Sequence, residues 1–314
     1  MVFNMDAKIL ADIIDEIADG LIVSTDPSTG TNYWSNVDTS WNTTNKSENY
    51  ARRALKYENG AELIYLAIEA INTQTSYWPG HHSRGLRIVF SEGWNSTDHI
   101  YTGKIQSTYM PFESHTTTVI EYLENLQVTY YLWVDHTGFV MMAKPEPSGD
   151  NQQQSFIICV EHRDVKEYED GESGFFCYCS GNMWHKLYAG DFPTLNRNRS
   201  ILRPFIYQWP DFGHRDPTTH PNGNGISFCP MPSYTAYKNI GNGKIYYIKP
   251  IINNSANQLD PIFQSELFFM WSENLGLIDG DVIAIQGQPT KFLCKAIDSP
   301  DTATRLAYAI KYVG

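Results

Sequence analysis

Two histidines and an aspartate lie close together in the second half of the 314-residue chain. His214, Asp216 and His220 occur in the segment HRDPTTH, and a His-x-Asp pair with a second His is the ligand set of the facial triad in non-haem iron sites. In that triad the second His normally comes from a distant strand, whereas here only Pro217 and two threonines separate it from Asp216. We therefore favour a polar loop whose side chains bond to the backbone, and we keep a metal-dependent enzyme built on these three residues as an alternative.

Soft metal ligands occur in the segment CYCSGNMWH, which contains Cys177, Cys179 and His185. Zinc-binding cysteine pairs are usually separated by two to four residues, and a second pair is missing here, so Cys159 or Cys229 would have to complete the ligand set. Free cysteines are among the most buried residue types. We predict buried structural cysteines and assign no metal site.

Other catalytic patterns find no support in the sequence. There is no Gly-x-Ser-x-Gly nucleophile elbow and no Gly-rich phosphate cradle after a strand. The carboxylates of residues 166–172 are typical of a solvated turn, whereas a glycosidase needs two carboxylates that face each other across a cleft. No catalytic residue and no cofactor is assigned. Binding of carbohydrate or a receptor through exposed aromatic side chains stays open, with Trp34, Trp41, Trp94 and Trp184 as the candidates to test.

The composition is rich in aromatic residues and poor in charge. Aromatic residues make up 14% of the chain and charged residues 18%, against about a quarter charged in ordinary globular domains. Aromatic side chains suit half-buried pleated surfaces and contact patches. The balance indicates a β-rich protein that works by making contacts.

Charge and cysteine content limit the classes of partner and compartment. The net charge is −12, and because an acidic surface repels phosphate we expect no direct grip on nucleic acid. Five cysteines in so long a chain do not form a disulfide framework. No signal peptide or membrane span is expected, so the predicted compartment is the reducing cytosol or a particle assembled there.

The first residues predict an amphipathic helix. Apolar residues from Ile9 to Ile17 recur at helical spacing, acidic residues take the other face, and Gly20 is a natural C′ stop. We expect the apolar stripe to pack on the helix's own domain. Residues 24–49 predict a long polar loop in which Trp34 and Trp41 either tuck beneath the loop or anchor a partner.

Strand patterns dominate the rest of the chain. The Asn59-Gly60 turn favours a strand pair over a helix across residues 50–73, and the clearest hairpin joins YYLWV to FVMMA across Asp135–Gly138. We predict a mainly β (α+β) fold of antiparallel sandwich or barrel-like sheets, with the N-terminal helix and long loop arms. Further strands are predicted at 85–91, 100–112, 155–163, 174–181, 244–252, 266–273, 280–287, 290–298 and 305–312, and a short helix at 116–126.

A Pro- and Gly-rich stretch at 204–232 is predicted to lack regular structure. It would be a linker or a surface excursion. The resulting division is a helix plus a β-rich domain at 1–203 and a C-terminal β domain at 233–314.

Several segments together resemble the structural proteins of tailed-bacteriophage virions. They are ARRALKYENGAELIYLAIEAIN, GLRIVFSEGW, GFVMMAKPEPSGDNQQQSF and the tail GLIDGDVIAIQGQPTKFLCKAIDSPDTATRLAYAIKY. The tail, in which a Gly-Asp turn enters an apolar strand, is similar to the closing hairpins of neck and tail proteins. The resemblance implies a non-enzymatic virion subunit that is assembled in the host cytoplasm. Its partners would be copies of itself in a ring or layer and other proteins of the neck, tail or baseplate, with no membrane involved.

Two loop segments, 24–49 and 204–232, contain aromatic residues that a strand core does not explain. The centres of protein interfaces are enriched in aromatic residues and depleted of charge. The predicted interaction residues are Trp34, Trp41, Trp209, Phe212 and Phe228.

Overall fold

The structure is a computed structural model of the whole chain, and its mainly β architecture confirms the predicted fold class. The residues that it describes are 2–38, 50–74, 82–115, 127–145, 152–153, 156–163, 173–181, 201–202, 205–209, 214–215, 226–229, 236–238, 245–247, 251–254, 261–271, 277–287, 289–297 and 306–313.

The described elements follow one another in this order. The first part of the chain contains β1 (Val2–Ile9), α1 (Leu10–Val23), β2 (Trp34–Asn36), β3 (Tyr50–Asn59), β4 (Glu62–Gln74), β5 (His82–Asn95), β6 (Ile100–His115), β7 (Gln127–Asp135), β8 (Gly138–Pro145), β9 (Gln152–Gln153), β10 (Phe156–Arg163) and β11 (Ser173–Gly181). The second part contains β12 (Ile201–Leu202), β13 (Phe205–Trp209), β14 (His214–Arg215), β15 (Ile226–Cys229), β16 (Ala236–Lys238), β17 (Ile245–Tyr247), β18 (Ile251–Asn254), β19 (Pro261–Gln264), β20 (Phe268–Trp271), β21 (Val282–Ala284), β22 (Lys291–Ile297) and β23 (Leu306–Tyr312).

Three larger antiparallel sheets organise these strands. The large sheet has the order β1-β7-β8-β10-β11-β13-β14, with β12 also paired to β11. The second sheet has the order β2-β3-β4-β5-β6-β9, and the C-terminal sheet has the order β20-β23-β22-β21. Two small sheets, β15-β18-β19 and β16-β17, complete the described strands.

The large sheet is the middle layer, and its first face packs on α1 and the second sheet. In this first core Leu132 and Val160 of the large sheet share a cluster with Ile17 of α1 and with Leu66 and Ile88 of the second sheet. Fully burying one such side chain contributes about 1.5–3 kcal/mol. Packing therefore holds α1 on its own domain, as the sequence predicts.

The second face of the large sheet packs on the C-terminal sheet. In this second core Trp133 and Tyr178 meet Phe268 and Tyr308, and the hydroxyls of Tyr178 and Tyr308 lie 2.8 Å apart. The C-terminal sheet thus shares a core with the large sheet. The domain division at 204–232 stays a prediction.

The N-terminal helix differs at both ends from the sequence prediction. Residues 2–9 form β1, because they pair with β7 from Val2 opposite Val134 to Ile9 opposite Gln127. The helix also continues through Gly20 to Val23. Gly20 does not end it because this residue packs against β7, where an added Cβ would stand 3.1 Å from the Val134 side chain. In the described part of the chain, no helix is long and apolar enough to cross a membrane.

Both predicted hairpins are confirmed. β3 and β4 pair along their whole length from Tyr50 opposite Ile71 to Asn59 opposite Glu62. The turn residues are Gly60 and Ala61, one position later than expected, and Gly60 has a φ of 62°. β7 and β8 pair from Val128 opposite Pro145 to Asp135 opposite Gly138, on either side of the predicted turn.

The prediction that residues 204–232 lack regular structure is wrong. β13, β14 and β15 all lie inside this stretch, and β13 belongs to the large sheet through its pairing with β11. The five residues from Phe205 to Trp209 fit between Pro204 and Pro210, so these prolines limit the strand without preventing it. The helix predicted at 116–126 lies outside the described residues.

A close approach between β8 and β10 gives a stability prediction. A Cβ added to Gly138 would stand 2.0 Å from the carbonyl oxygen of Val160. We expect Gly138→Ala to lower the free energy of unfolding by about 2–3 kcal/mol in urea denaturation, because the backbone has to shift and because Gly138 has a φ of 153°, which L residues rarely adopt. Gly60→Ala is the control, since nothing lies within 4 Å of its added Cβ, and only its left-handed φ costs about 1 kcal/mol. Equal losses in both variants would contradict the steric explanation.

Candidate functional site

A row of three charged residues crosses the outer face of the second sheet. In the strand register Arg52 of β3 lies opposite Glu69 of β4, which lies opposite Arg87 of β5. Arg52 Nε donates to Glu69 Oε1 at 2.7 Å, while Arg87 Nε and the Tyr101 hydroxyl also donate to the Glu69 carboxylate. Neighbouring strands therefore bring three donors to one buried acid.

The Glu69 carboxylate is fully buried yet ionised. Burial alone would raise its pKa, but the charges of Arg52 and Arg87 and the hydrogen bonds from Arg87 and Tyr101 outweigh that cost and lower the pKa. A carboxylate held in this way accepts no further proton near neutral pH. Its chemistry is that of a fixed counter-charge, and a general base would need a free proton site.

Arg52 is enclosed by aromatic rings as well as by Glu69. Its guanidinium carbon lies 5.2 Å from the centroid of the Trp94 ring and 5.0 Å from that of Tyr101. Its Nη1 donates to the carbonyl oxygen of His99 at 3.0 Å. Cation–π contacts of this kind stabilise a desolvated guanidinium. Through its bond to His99, Arg52 also joins the turn between β5 and β6 to the sheet.

A histidine–aspartate pair lies at the edge of this cluster. The Nδ1 of His99 is 2.5 Å from Oδ2 of the buried Asp38, which also accepts a hydrogen bond from Trp94 Nε1 at 3.3 Å. His99 has a φ of 56° and its side chain is 31% exposed. An Asp that orients a His is one part of an acid–base site, which also needs a reacting group. Two neighbours contact this pair. Trp94 packs beside it and donates to Asp38, and Arg52 adds a positive charge and donates to the His99 carbonyl.

Other polar side chains form the joint between the large sheet and the C-terminal sheet. Glu161 is buried and accepts hydrogen bonds from the Ser265 hydroxyl at 2.7 Å and from the Glu266 amide at 2.8 Å. Asp135 accepts from Trp133 Nε1 at 2.9 Å and lies 3.5 Å from Lys311 Nζ. These contacts lie where β20 and β23 dock on the large sheet.

The two carboxyls of this joint differ in proton affinity. Burial raises the pKa of Glu161 to about 8, against the opposing effect of its hydrogen bonds to Glu266 and Ser265. Burial also disfavours the charged form of Asp135, but Lys311 and the hydrogen bonds from Thr137 and Trp133 lower its pKa. Glu161 is thus mostly neutral at pH 7, and Asp135 is charged.

A polar contact also joins the large sheet to the second sheet. His162 Nε2 of β10 is 3.0 Å from Glu62 Oε2 of β4, and the His162 ring stacks on Tyr57 at a centroid distance of 4.7 Å. Each interface of the middle layer therefore contains a paired carboxyl group.

The predicted interaction residues fall into three groups. Trp34 is buried and donates from Nε1 to the His136 carbonyl at 3.0 Å, so it packs beneath the loop and the contact role predicted for it is corrected. Trp209 lies in β13 opposite Ser173, and Phe228 lies in β15 opposite Ile252. Trp41 and Phe212 lie outside the described residues.

The residues of the two metal hypotheses are not brought together by the described structure. Cys159 and Cys177 are buried in the second and first cores, on opposite faces of the large sheet. His214 lies in β14, opposite Tyr207. Asp216, His220 and His185 lie outside the described residues. Among the described residues, no group of three His, Cys, Asp or Glu side chains could hold a metal ion.

The edges of the three larger sheets expose apolar side chains. Met5 on β1 is 64% exposed, Ile100 and Ile105 on β6 are 51% and 50% exposed, and Val282 on β21 is 46% exposed. β1 and β21 are terminal strands of their sheets, and β6 is followed only by the two-residue β9. A sheet edge presents unpaired backbone N–H and C=O groups, so an apolar edge is a surface suited to contacts between chains.

No protein family model, curated protein or solved structure matches this chain.

The sequence alone does not predict the Arg52–Glu69–Arg87 row. The available signal was Glu69 itself, the one charge inside the apolar run LIYLAIEAIN. Its partners depend on strand register, which a single sequence leaves open. Trp94, considered above as an exposed platform, is half-buried and bonded to Asp38.

The buried row predicts a large stability effect. Glu69→Gln removes the buried negative charge that Arg52 and Arg87 both bond, and we expect a loss of about 3 kcal/mol in the free energy of unfolding. Glu58→Gln is the matched control on the same hairpin, because Glu58 also pairs with a cation, Lys56, but its side chain is 57% exposed. That change is expected to cost less than about 1 kcal/mol. Urea denaturation at pH 7 compares them, and similar losses would show that the row adds no more than an exposed ion pair.

The raised pKa of Glu161 predicts a pH dependence. The folded protein binds this proton more tightly than the unfolded chain, whose ordinary Glu pKa is 4.5. Stability is therefore lost as the pH rises from about 4.5 through about 8, by at most about 1.4 kcal/mol per pH unit. Urea denaturation from pH 5 to 9 should show a flatter profile for Glu161→Gln than for the native chain. Glu58→Gln should keep the native slope, and an unchanged slope in Glu161→Gln would refute the assignment.

Proposed function

We propose that this chain is a non-enzymatic structural subunit of a tailed-bacteriophage particle, in the neck, tail or baseplate. It acts by assembling with copies of itself and with other virion proteins. The virion assignment rests on the resemblance of the segments given above, and the assembly role rests on the molecular surface.

The observation that carries the assembly role is the exposure of individual apolar side chains on strands at or next to the sheet edges. Met5 and Val282 lie on terminal strands and Ile105 lies on β6, which is bordered only by the two-residue β9, and each is about half exposed or more. Proteins that stay monomeric usually protect such edges with charge, proline or a covering segment. Apolar edges on several sides allow one subunit to contact more than one neighbour, as rings and layers require.

The polar clusters support a structural role. Glu69, Glu161 and Asp135 each have internal donors on another strand or sheet: Arg52 and Arg87 for Glu69, the Glu266 amide for Glu161 and Lys311 for Asp135. The carbohydrate-binding alternative receives less support, because Trp34 is buried and Trp94 is half-buried against Arg52.

The proposal predicts that the purified chain is larger than one subunit. Size-exclusion chromatography with light scattering should give a multiple of 35.8 kDa, and cryo-electron microscopy of the parent particle should contain matching density. A triple variant, Met5→Lys, Ile105→Lys and Val282→Lys, should shift the mass toward the monomer because charge opposes edge association.

Val23→Lys is the matched control, since Val23 is equally apolar and 66% exposed but lies at the end of α1. A native chain that is monomeric at every concentration and has no counterpart in the particle would refute the proposed function.

A further inference from the structure

We infer that two copies of this chain pair antiparallel through their β6 strands, in a register centred on Ser107. This inference rests on the proposed function, for which it names one contact surface and one partner, a second copy of the chain.

The outer edge of β6 is open over most of its length in the described structure. Its inner side pairs with β5 from Ile100 to His115. Its outer side pairs with β9 only at Glu113 and Ser114. The chain then enters β10 of the large sheet at Phe156, so β9 does not continue along β6.

The middle of this edge has none of the usual protective features. Upstream, Gly103 adopts a φ of 74° and is followed by Lys104. A backbone kink and a charged side chain both disfavour pairing of an edge strand with another chain. Downstream, Pro111 lacks a backbone N–H and β9 pairs with Glu113 and Ser114, so the open part of the edge ends there. Between them lies the uncharged segment 105–110, IQSTYM, which has no Gly or Pro. Such a segment is well suited to pairing with another strand.

The pairing with β5 determines which residues of β6 share a face. Ile105, Ser107 and Tyr109 lie opposite Ser91, Val89 and Arg87, respectively. These β5 residues alternate with Ile88 and Phe90 of the first core. Positions 105, 107 and 109 therefore belong to the outer face of the second sheet.

Matching these faces between two copies requires a twofold axis that passes through a residue, and Ser107 is the central residue of the stretch 104–110 between Gly103 and Pro111. Residues opposite each other in an antiparallel pair lie on the same side of the sheet. Pairing about Ser107 puts Ile105 opposite Tyr109 of the second copy, so outer-face positions meet. It also puts Lys104 opposite Met110, so no like charges meet. A twofold axis at the peptide bond between Ser107 and Thr108 would instead place position 105 opposite position 110. Because these two positions belong to opposite faces of the sheet, that register does not match the faces.

A second copy suits this edge because the contact is self-complementary. A twofold axis at Ser107 lets one interaction cover the open edge of both chains at once. The neutral segment offers no charge pattern that would select a strand of opposite charge.

A cysteine at the axis tests the register. Facing Cα atoms in an antiparallel pair are about 4.5–5.5 Å apart, which is within disulfide range. Ser107→Cys should therefore give a covalent dimer after mild oxidation, seen on non-reducing gels and by mass spectrometry. Ile100→Cys is the matched control, because Ile100 is equally exposed on the same strand but would face Ser114, which is already joined to β9. The native chain gives the background from its own cysteines.

Charge at the same positions tests the energetics. Ile105→Lys should weaken self-association at least tenfold in light scattering, and Ile100→Lys should leave it nearly unchanged. A native chain that oligomerises while Ser107→Cys fails to cross-link would overturn the β6 contact and leave the proposed function standing. A monomeric chain absent from particles would overturn both. Cross-linking of Ser107→Cys to a different virion protein would overturn the choice of a second copy.

Discussion

Burial of the large sheet on both faces is the constraint on which the rest of the structure depends. β7 shows it directly: Leu132 and Val134 face the first core, and Trp133 between them faces the second. A strand buried on both sides cannot send a polar side chain to water. Every such group in this layer must find a partner inside the protein, because an unpaired buried polar group costs about 1–3 kcal/mol.

The paired carboxyl groups are consequences of that constraint. Glu161 and Asp135 lie at the C-terminal joint, and Glu62 pairs with His162 at the other joint. Leaving a buried carboxyl group without its hydrogen-bond or charge partner costs more free energy than the contact contributes when it forms. Such pairs therefore hold one arrangement of sheets against alternatives.

Local patterns in the sequence were enough to predict most of the longer strands and both hairpins, because turn residues such as Gly60 act over a few positions. Long-range pairing was not predictable in the same way. Residues 2–9 form a strand because β7, more than a hundred residues later, lies beside them. The Glu69 row depends on the register of three strands. Trp34 was ambiguous for the same reason, since its burial depends on Phe175 and Tyr57 packing around it.

Because the large sheet uses both of its faces internally, its edges and the loops are left for contacts with other molecules. The aromatic residues of the loops at 24–49 and 204–232 predict contacts in those two segments. In the described structure one of those aromatics, Trp34, belongs to the core, while exposed apolar residues lie on β1, β6 and β21. Edge pairing uses backbone hydrogen bonds, which every residue type can make. It therefore leaves little trace in composition, and strand order has to be known before such a surface can be recognised.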